Sequence, residues 1–281
     1  MLYNLDYYLR LWNLHDPEPL AHSTTGDVYV VYRNDEKMVL KLFTPTGVAD
    51  ESDGGSALRY FDGHGAVRLL AYDDRAHLLE YAGDEELAQM VTRGDDLAAA
   101  AVIAGVLNKL HRPQPNLPTP HLRTLHQRFS SLFDRAAQEK AAGEQSIYGR
   151  GAWVAQSLLA HPQHQCVLHG DIQHHNIRLH PLRGWLAFDP KGLYGERSYD
   201  AGNALCNPST ARDRVLSEER LLQVSQVLAD NMGVDVRRLR AFAFAYACLS
   251  ASWPDKPEGS EVQQWFLTVA RNAERHVDFS V

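Results

Sequence analysis

The chain has 281 residues, of which 44% are hydrophobic, 22% charged and 9% aromatic; this composition excludes a disordered or fibrous protein, and the length points to two lobes around a sizeable core. Twenty-eight basic against 35 acidic residues leave a net charge of −7, which excludes a global positive field for nucleic acid or an anionic membrane and makes a cationic partner the easier one to accommodate. Three scattered cysteines, Cys166, Cys206 and Cys248, show no CxxC spacing, which argues against a secreted disulfide framework and predicts reduced thiols.

Met1 to Leu11 is rich in Tyr and Asn and has no basic region followed by an apolar run, so no signal peptide is expected. The longest apolar stretches, Leu97 to Leu107 and Ala241 to Leu249, fall short of the roughly 18 to 20 residues that span a bilayer. A soluble, cytoplasmic protein is expected. The first third reads as strands. Val28 to Arg33 and Met38 to Phe43 are β-branched and aromatic runs separated by the polar turn Asn34-Asp35-Glu36-Lys37. A second pair is expected at Ala66 to Leu70 and His77 to Tyr81. Between the pairs a short helix over Val48 to Tyr60 is weakened by Gly54 and Gly55. The sum is a small antiparallel sheet with one helix.

Beyond Gly83 the hydrophobic period changes. In Asp95 to His111, Ile103, Val106, Leu107 and Leu110 recur at helical spacing, with Asp95 or Asp96 placed to cap the start. A loop punctuated by Pro113, Pro115, Pro118 and Pro120 follows. Leu122, Leu125, Phe129, Leu132, Phe133 and Ala136 then mark a second helix, and Trp153 to Ala160 a third. Helices resume over Ser217 to Asn231, Val236 to Ser252 and Ser260 to His276. One β-island interrupts this helical region, at Gln165 to His169, Ile177 to His180 and Trp185 to Phe188.

The densest polar constellation lies on that island: His169-Gly170-Asp171-Ile172-Gln173-His174-His175-Asn176, with Asp189 thirteen residues beyond Asn176. An Asp and an Asn on one loop and a second Asp after the next hairpin converge oxygen ligands where a hard cation and a phosphate could meet. Phosphoryl transfer asks for a carboxylate to orient and deprotonate a hydroxyl, oxygen ligands for magnesium, and a cation to neutralise developing charge. Asp171 suits the first role, Asn176 and Asp189 the second. Lys41, a lone cation in the strand Val39-Leu40-Lys41-Leu42-Phe43, suits the third, and Glu51, ten residues on, is its candidate partner.

The string His-Gly-Asp-x4-Asn, an Asp after a hairpin and a Lys on an N-terminal strand resemble the aminoglycoside phosphotransferase family of the protein-kinase-like superfamily. The likeness is closer to its streptomycin 6-phosphotransferase and hydroxyurea phosphotransferase branch. It is carried by Gly65 to Leu70, Leu79 to Gly83, Gly184 to Leu193 and Tyr246 to Trp253, and runs from about His22 to Trp253. The resemblance implies an α+β, kinase-like bilobal fold: residues 1–82 form a nucleotide-binding lobe with an antiparallel sheet and one helix, and residues 83–281 a mainly α catalytic and substrate-binding lobe with a short β-hairpin. It implies ATP and Mg2+ as cofactors and a small-molecule hydroxyl acceptor, a cationic antibiotic of the streptomycin type. Asp171 becomes the catalytic base; Asn176 and Asp189 bind magnesium. Lys41 contacts phosphates and pairs with Glu51. Glu80, Tyr81 and Ala82 form a hinge offering backbone groups to adenine, while Ser23, Thr24 and Thr25 lie on the loop above the phosphates. Asp200 either braces the catalytic loop or caps a helix.

Simpler readings compete. Asp171 and Asp189 are also turn residues, and Lys41 also fits a snorkelling side chain. His169, His174 and His175 superficially suggest zinc, but adjacent loop histidines do not readily ligate one ion and no HExxH spacing accompanies them. Glu196, Glu218, Glu219, Asp255 and Glu258 fit either a pocket for a cation or a solvated acidic face. The rival functions are kinase of another small hydroxylated molecule, such as hydroxyurea or a sugar, a non-catalytic nucleotide-binding module, and a zinc hydrolase.

Overall fold

The computed structural model describes residues 4–278, except the side chains of residues 49–52. Helix α1 (Leu5–Leu11), capped by Asn4, precedes a five-stranded antiparallel sheet formed by β1 (His15–His22), β2 (Gly26–Arg33), β3 (Glu36–Phe43), β4 (Leu69–Asp73) and β5 (Ala76–Glu80). The spatial order is β1-β2-β3-β5-β4. Neither α1 nor β1 is expected from the sequence. β2 and β3 pair from Gly26 with Phe43 to Arg33 with Glu36, so the turn is the dipeptide Asn34-Asp35. Both residues adopt positive φ, 50° and 63°, which suits a tight hairpin between twisted strands. β4 begins three residues later than expected. Ala66 and Val67 join a different layer, where Val67 N–H donates to Ala187 and Ala187 N–H to Gly65.

Helix α2 (Pro45–Phe61) is longer than the expected 48–60, because Thr44 caps Gly47 N–H at 3.1 Å and Pro45 occupies the first turn. Its glycines mark close packing: a Cβ on Gly55 would come within 2.7 Å of His77 Nε2. Ala57, Leu58 and Phe61 of α2 share one apolar core with residues of the helical part, while Val31, Met38, Leu40 and Leu78 pack under Tyr8 in a second.

The helical part comprises α3 (Ala88–Arg93), α4 (Asp96–Leu110), α5 (Leu125–Arg128), α6 (Ser130–Ala141), α7 (Ile147–Ala160), α8 (Ser198–Leu205), α9 (Arg212–Val215), α10 (Glu218–Met232), α11 (Val236–Ala251) and α12 (Glu261–Glu274). Neither Asp95 nor Asp96 caps α4 as expected: the Asp95 side chain makes no cap bond, and Asp96 is buried against Arg220 at 2.6 and 3.1 Å. The expected helix from Leu122 is split at Phe129, and α7 starts earlier than Trp153 because Ser146 caps Gly149 N–H at 3.1 Å. α10, α11 and α12 are capped by Ser217, Asp235 and Ser260. α11 is buried on every side from Ala241 to Ala251, which makes it the axis of this part. Among the described residues no helix is long and apolar enough to cross a membrane.

Five short strands complete the fold. β6 (Arg123–Thr124), β10 (Leu193–Glu196) and β7 (Gln165–Leu168) form one sheet, and β8 (Ile177–His180) with β9 (Gly184–Ala187) forms a hairpin. The hairpin is stitched to the N-terminal sheet. Arg183, in its turn, donates to Glu80, to the Gly63 carbonyl and to the Ala66 carbonyl.

Candidate active site

Three segments meet at the junction of the sheet and the helical part: β3, the loop between β7 and β8, and the loop between β9 and β10. The first loop is held from beneath by Asp200 on α8. The side chain of Asp200 is fully buried and accepts His169 N–H at 2.9 Å, Gly170 N–H at 2.8 Å and His111 Nε2 at 2.9 Å. Two backbone donors immediately before Asp171 are thereby fixed, so Asp200 braces the loop. His169 adds a second brace. Its Nδ1 accepts Asp171 N–H at 3.3 Å and its Nε2 faces the Phe188 carbonyl at 3.0 Å, an arrangement satisfied by a neutral ring protonated at Nε2. Burial pushes its pKa down, in the same sense.

Asp171 therefore stands on a rigid turn. Asn176 Nδ2 donates to the Asp171 carbonyl at 2.9 Å, which leaves its amide oxygen directed elsewhere. Asp189 sits at φ 58°, a left-handed conformation that costs a non-glycine residue about 1 kcal/mol or more. Its carboxylate receives Lys41 Nζ at 2.5 Å. Burial alone would raise the Asp189 pKa, but the Lys41 and Lys191 charges outweigh it and hold the carboxyl below its ordinary value. Lys41 is mostly buried, 12% exposed, and a buried ammonium is retained at the cost of desolvation only where anions face it.

Lys41, Asp189 and Lys191 line a cleft of about 480 Å3 walled by Val28, Val39, Val67, Leu79, Ala82 and Phe188. Its lining divides into an apolar set and a charged set. That division suits a planar ring beside a polyanion.

The expected residues fall as follows. Lys41 and Asp189 touch; Asp171 and Asn176 lie on the adjoining loop. Ser23 and Thr25 line the cleft, with their hydroxyls 3.0 Å apart, and Ser23 Oγ accepts Thr25 and Gly26 N–H at 3.3 and 3.2 Å. Thr24 is turned to α2, its carbonyl accepting Thr44 Oγ1 at 2.7 Å. Glu80, Tyr81 and Ala82 line the cleft. The Glu80 carboxylate is committed to Arg183 and to Arg68 N–H at 3.0 Å, and the Tyr81 ring lies under Lys37 Nζ at 4.0 Å. The Glu51 side chain lies outside the described residues.

The three histidines do not converge. His175 turns to Glu86 at 3.2 Å, and among the described residues no cluster of three or more His, Cys, Asp or Glu side chains is placed to hold a metal. The acidic residues weighed for a cation pocket are largely matched by nearby bases: Glu196 with Arg238 at 2.6 Å, Glu258 with Arg135 at 3.4 Å, Asp255 with Lys256 at 3.6 Å, and Glu218 with Arg275 and His276. Sequence reasoning missed His111, Asn203 and Arg128. Arg128 stacks 4.7 Å from the Trp253 ring centre and its Nε lies 3.4 Å from Tyr199 Oη. No local pattern signals them, because each acts through a partner distant in sequence.

Residues 11–257 match the family described as aminoglycoside/hydroxyurea antibiotic resistance kinase. The chain is 33% identical over 249 residues to the streptomycin 3''-kinase of Klebsiella pneumoniae, covering 87% of this chain and 90% of that one. It is 25% identical over 278 residues to the streptomycin 6-kinase of Streptomyces glaucescens, covering 95% and 87%. Its fold is like that of a thermostable mutant of aminoglycoside phosphotransferase APH(4)-Ia, solved with AMP-PNP and hygromycin B, with TM-score 0.66 at 10% identity over 96% of this chain and 97% of that one. The kinase-like fold, with an antiparallel N-terminal sheet and a mainly helical C-terminal part, is thus common to both, and this chain belongs to the aminoglycoside/hydroxyurea antibiotic resistance kinase family, as a phosphotransferase with a hydroxyl acceptor.

Proposed function

We propose that the protein is an ATP- and magnesium-dependent O-phosphotransferase that modifies a hydroxyl of a small antibiotic, an aminoglycoside of the streptomycin type, and so confers resistance. The observation that carries this reading is the Lys41–Asp189 pair on one cleft, with the loop that bears Asp171 and Asn176 joined to the segment of Asp189 by Phe188 N–H donating to the Asn176 carbonyl at 3.0 Å and Lys191 N–H to the His169 carbonyl at 2.8 Å. Family membership and the two streptomycin-kinase relatives support the acceptor class. The net charge of −7 favours the approach of a cationic acceptor.

The donor set fits magnesium carried in with a nucleotide: such an ion takes one or two protein carboxylate or amide oxygens and completes its shell with phosphates and water. Asp189 and the Asn176 amide oxygen would hold it, and when bound it screens charge on the transferred group. Lys41 supplies a fixed ammonium beside Asp189, and residues 1–82 bind the nucleotide through the apolar wall and the strand end at Glu80 to Ala82. Ser23 and Thr25 offer hydroxyls above the phosphates. Asp171, from the 83–281 lobe, orients the acceptor hydroxyl and takes its proton as the oxygen bonds to phosphorus. Little further chemistry is asked of the protein.

The test is turnover of magnesium-ATP with a panel of hydroxyl compounds, followed by phosphorus NMR of the product, which also reads the position modified. Streptomycin phosphate is the expected product. Brisk turnover of hydroxyurea or a sugar with none of streptomycin would replace the acceptor class, and no turnover of any would leave a nucleotide-binding module.

A further inference from the structure

α8 is buried along its whole length, and two of its polar side chains, three residues apart, address the catalytic loop. Asp200 grips the loop by its backbone. Asn203, one turn on, reaches the Asp171 carboxylate itself. Asn203 is fully buried; its Nδ2 lies 3.4 Å from Asp171 Oδ1, and its Oδ1 accepts Asn207 Nδ2 at 3.2 Å.

The second contact decides the direction of the first. A carboxamide carries acceptors on one side and donors on the other. Because Asn207 presents its NH2 to the Asn203 oxygen, the Asn203 NH2 must face Asp171. A flipped Asn203 would set two NH2 groups against each other and point a carbonyl oxygen at a carboxylate. Asn207 is itself anchored: its Nδ2 also donates to the Asn203 carbonyl at 3.2 Å, and its own carbonyl accepts Arg220 Nη2 at 2.9 Å, from the guanidinium paired with Asp96. Among the described residues the other Asp171 oxygen, Oδ2, has only Asn176 Nδ2, at 3.5 Å, and that amide is directed chiefly at the Asp171 carbonyl. The two oxygens of the base are therefore unequal.

We infer that Asn203, oriented by Asn207, is a positioning residue that holds Asp171 Oδ1 and leaves Oδ2 to receive the proton. In the step, the acceptor O–H bond breaks, Oδ2 gains the proton, and the acceptor oxygen forms its bond to phosphorus while the nucleotide leaves as the diphosphate. The inference rests on the reading of Asp171 as the base.

Asn207→Asp removes the donor that orients Asn203 at a half-buried site, together with its bond to the Asn203 carbonyl, and leaves in place the bonds of the Asn207 backbone to the Ala204 carbonyl and to Arg220. Its kcat falls about tenfold, the loss expected for one hydrogen bond to a charged group, while KM for nucleotide and for acceptor stays within twofold. Asn203→Ala, or Asn203→Ser should the first not fold, shows a similar loss. In either background Asn207→Asp has no further effect, because the route through Asn203 is already broken. An unchanged kcat in Asn207→Asp, a change confined to KM, or effects that multiply in the double variant would each overturn the inference. Asp171→Asn is assayed in parallel. If it is inactive while the Asn variants behave as wild type, the inference fails and the base assignment stands; if it keeps full turnover, the base assignment itself fails.

Discussion

Replacing Asp200 by Asn changes one atom of a fully buried group that holds three donors, at 2.9, 2.8 and 2.9 Å. The amide has one oxygen to accept and an NH2 that must point at a third donor. At least one hydrogen bond to a charged group is lost, worth about 1.5–3 kcal/mol, and one buried N–H is left unsatisfied at a further cost of about 1–3 kcal/mol. His111 is the vulnerable partner, since its Nδ1 is buried with no hydrogen bond among the described residues. The expected loss is about 3–5 kcal/mol, which for a chain of this size lowers the melting temperature by roughly 6–12 °C. Because the released groups are His169 and Gly170 N–H, kcat is expected to fall with it, whereas affinity for nucleotide at the proposed cleft changes little. Calorimetry and steady-state kinetics on the purified variant check both. A melting temperature within about 2 °C of wild type together with unchanged kcat would refute the assignment of Asp200 as the brace of the loop.

Two further outcomes follow from packing and charge. Burial, reinforced by Lys41, pushes the His77 pKa down to about 4 from the ordinary value near 6.5, so the unfolded chain binds the proton first. This contribution is complete above pH 6.5, is lost progressively as pH falls from 6.5 to 4, and is constant below. Wild type should lose about 2 kcal/mol more than His77→Leu between pH 7 and pH 5 in urea melts, and equal losses would contradict the burial argument. Gly192 lies at φ 63°, and a Cβ there would approach the Asp53 carbonyl oxygen to 2.2 Å, so Gly192→Ala must part α2 from the loop carrying Asp189. A stability loss above about 2 kcal/mol and weaker nucleotide binding are expected in a thermal-shift titration; a silent substitution would show that this approach is not needed.

The candidate catalytic string was legible because its chemistry is local: Asp171 and Asn176 share one loop, and Asp189 ends the next hairpin. Lys41 was legible for another reason, as a charge inside an apolar strand. What the sequence hid was structure without period. β1 is exposed at every position, so it shows no alternation, and Pro17 and Pro19 argue against a strand although an edge strand tolerates them. α8 is buried at every position, so no helical stripe exists for a pattern to reveal: Asp200 was reached only through the family resemblance, with a helix cap as its alternative, and Asn203 was missed. Gly54 and Gly55 weaken the expected helix by propensity; in the fold Gly55 is where α2 admits the His77 ring, a tertiary reason that overrides propensity. The split at Phe129 escaped because Thr124 and Gln127 close a capping box of their own.

The most direct measurement of the central claim is turnover by Asp171→Asn, an isosteric change that keeps a hydrogen-bonding group but removes the proposed proton acceptor. The site described here predicts a fall in kcat of a thousandfold or more, roughly, with the affinity for magnesium-nucleotide nearly unaltered. Turnover at the wild-type rate by a folded, nucleotide-binding variant would contradict it.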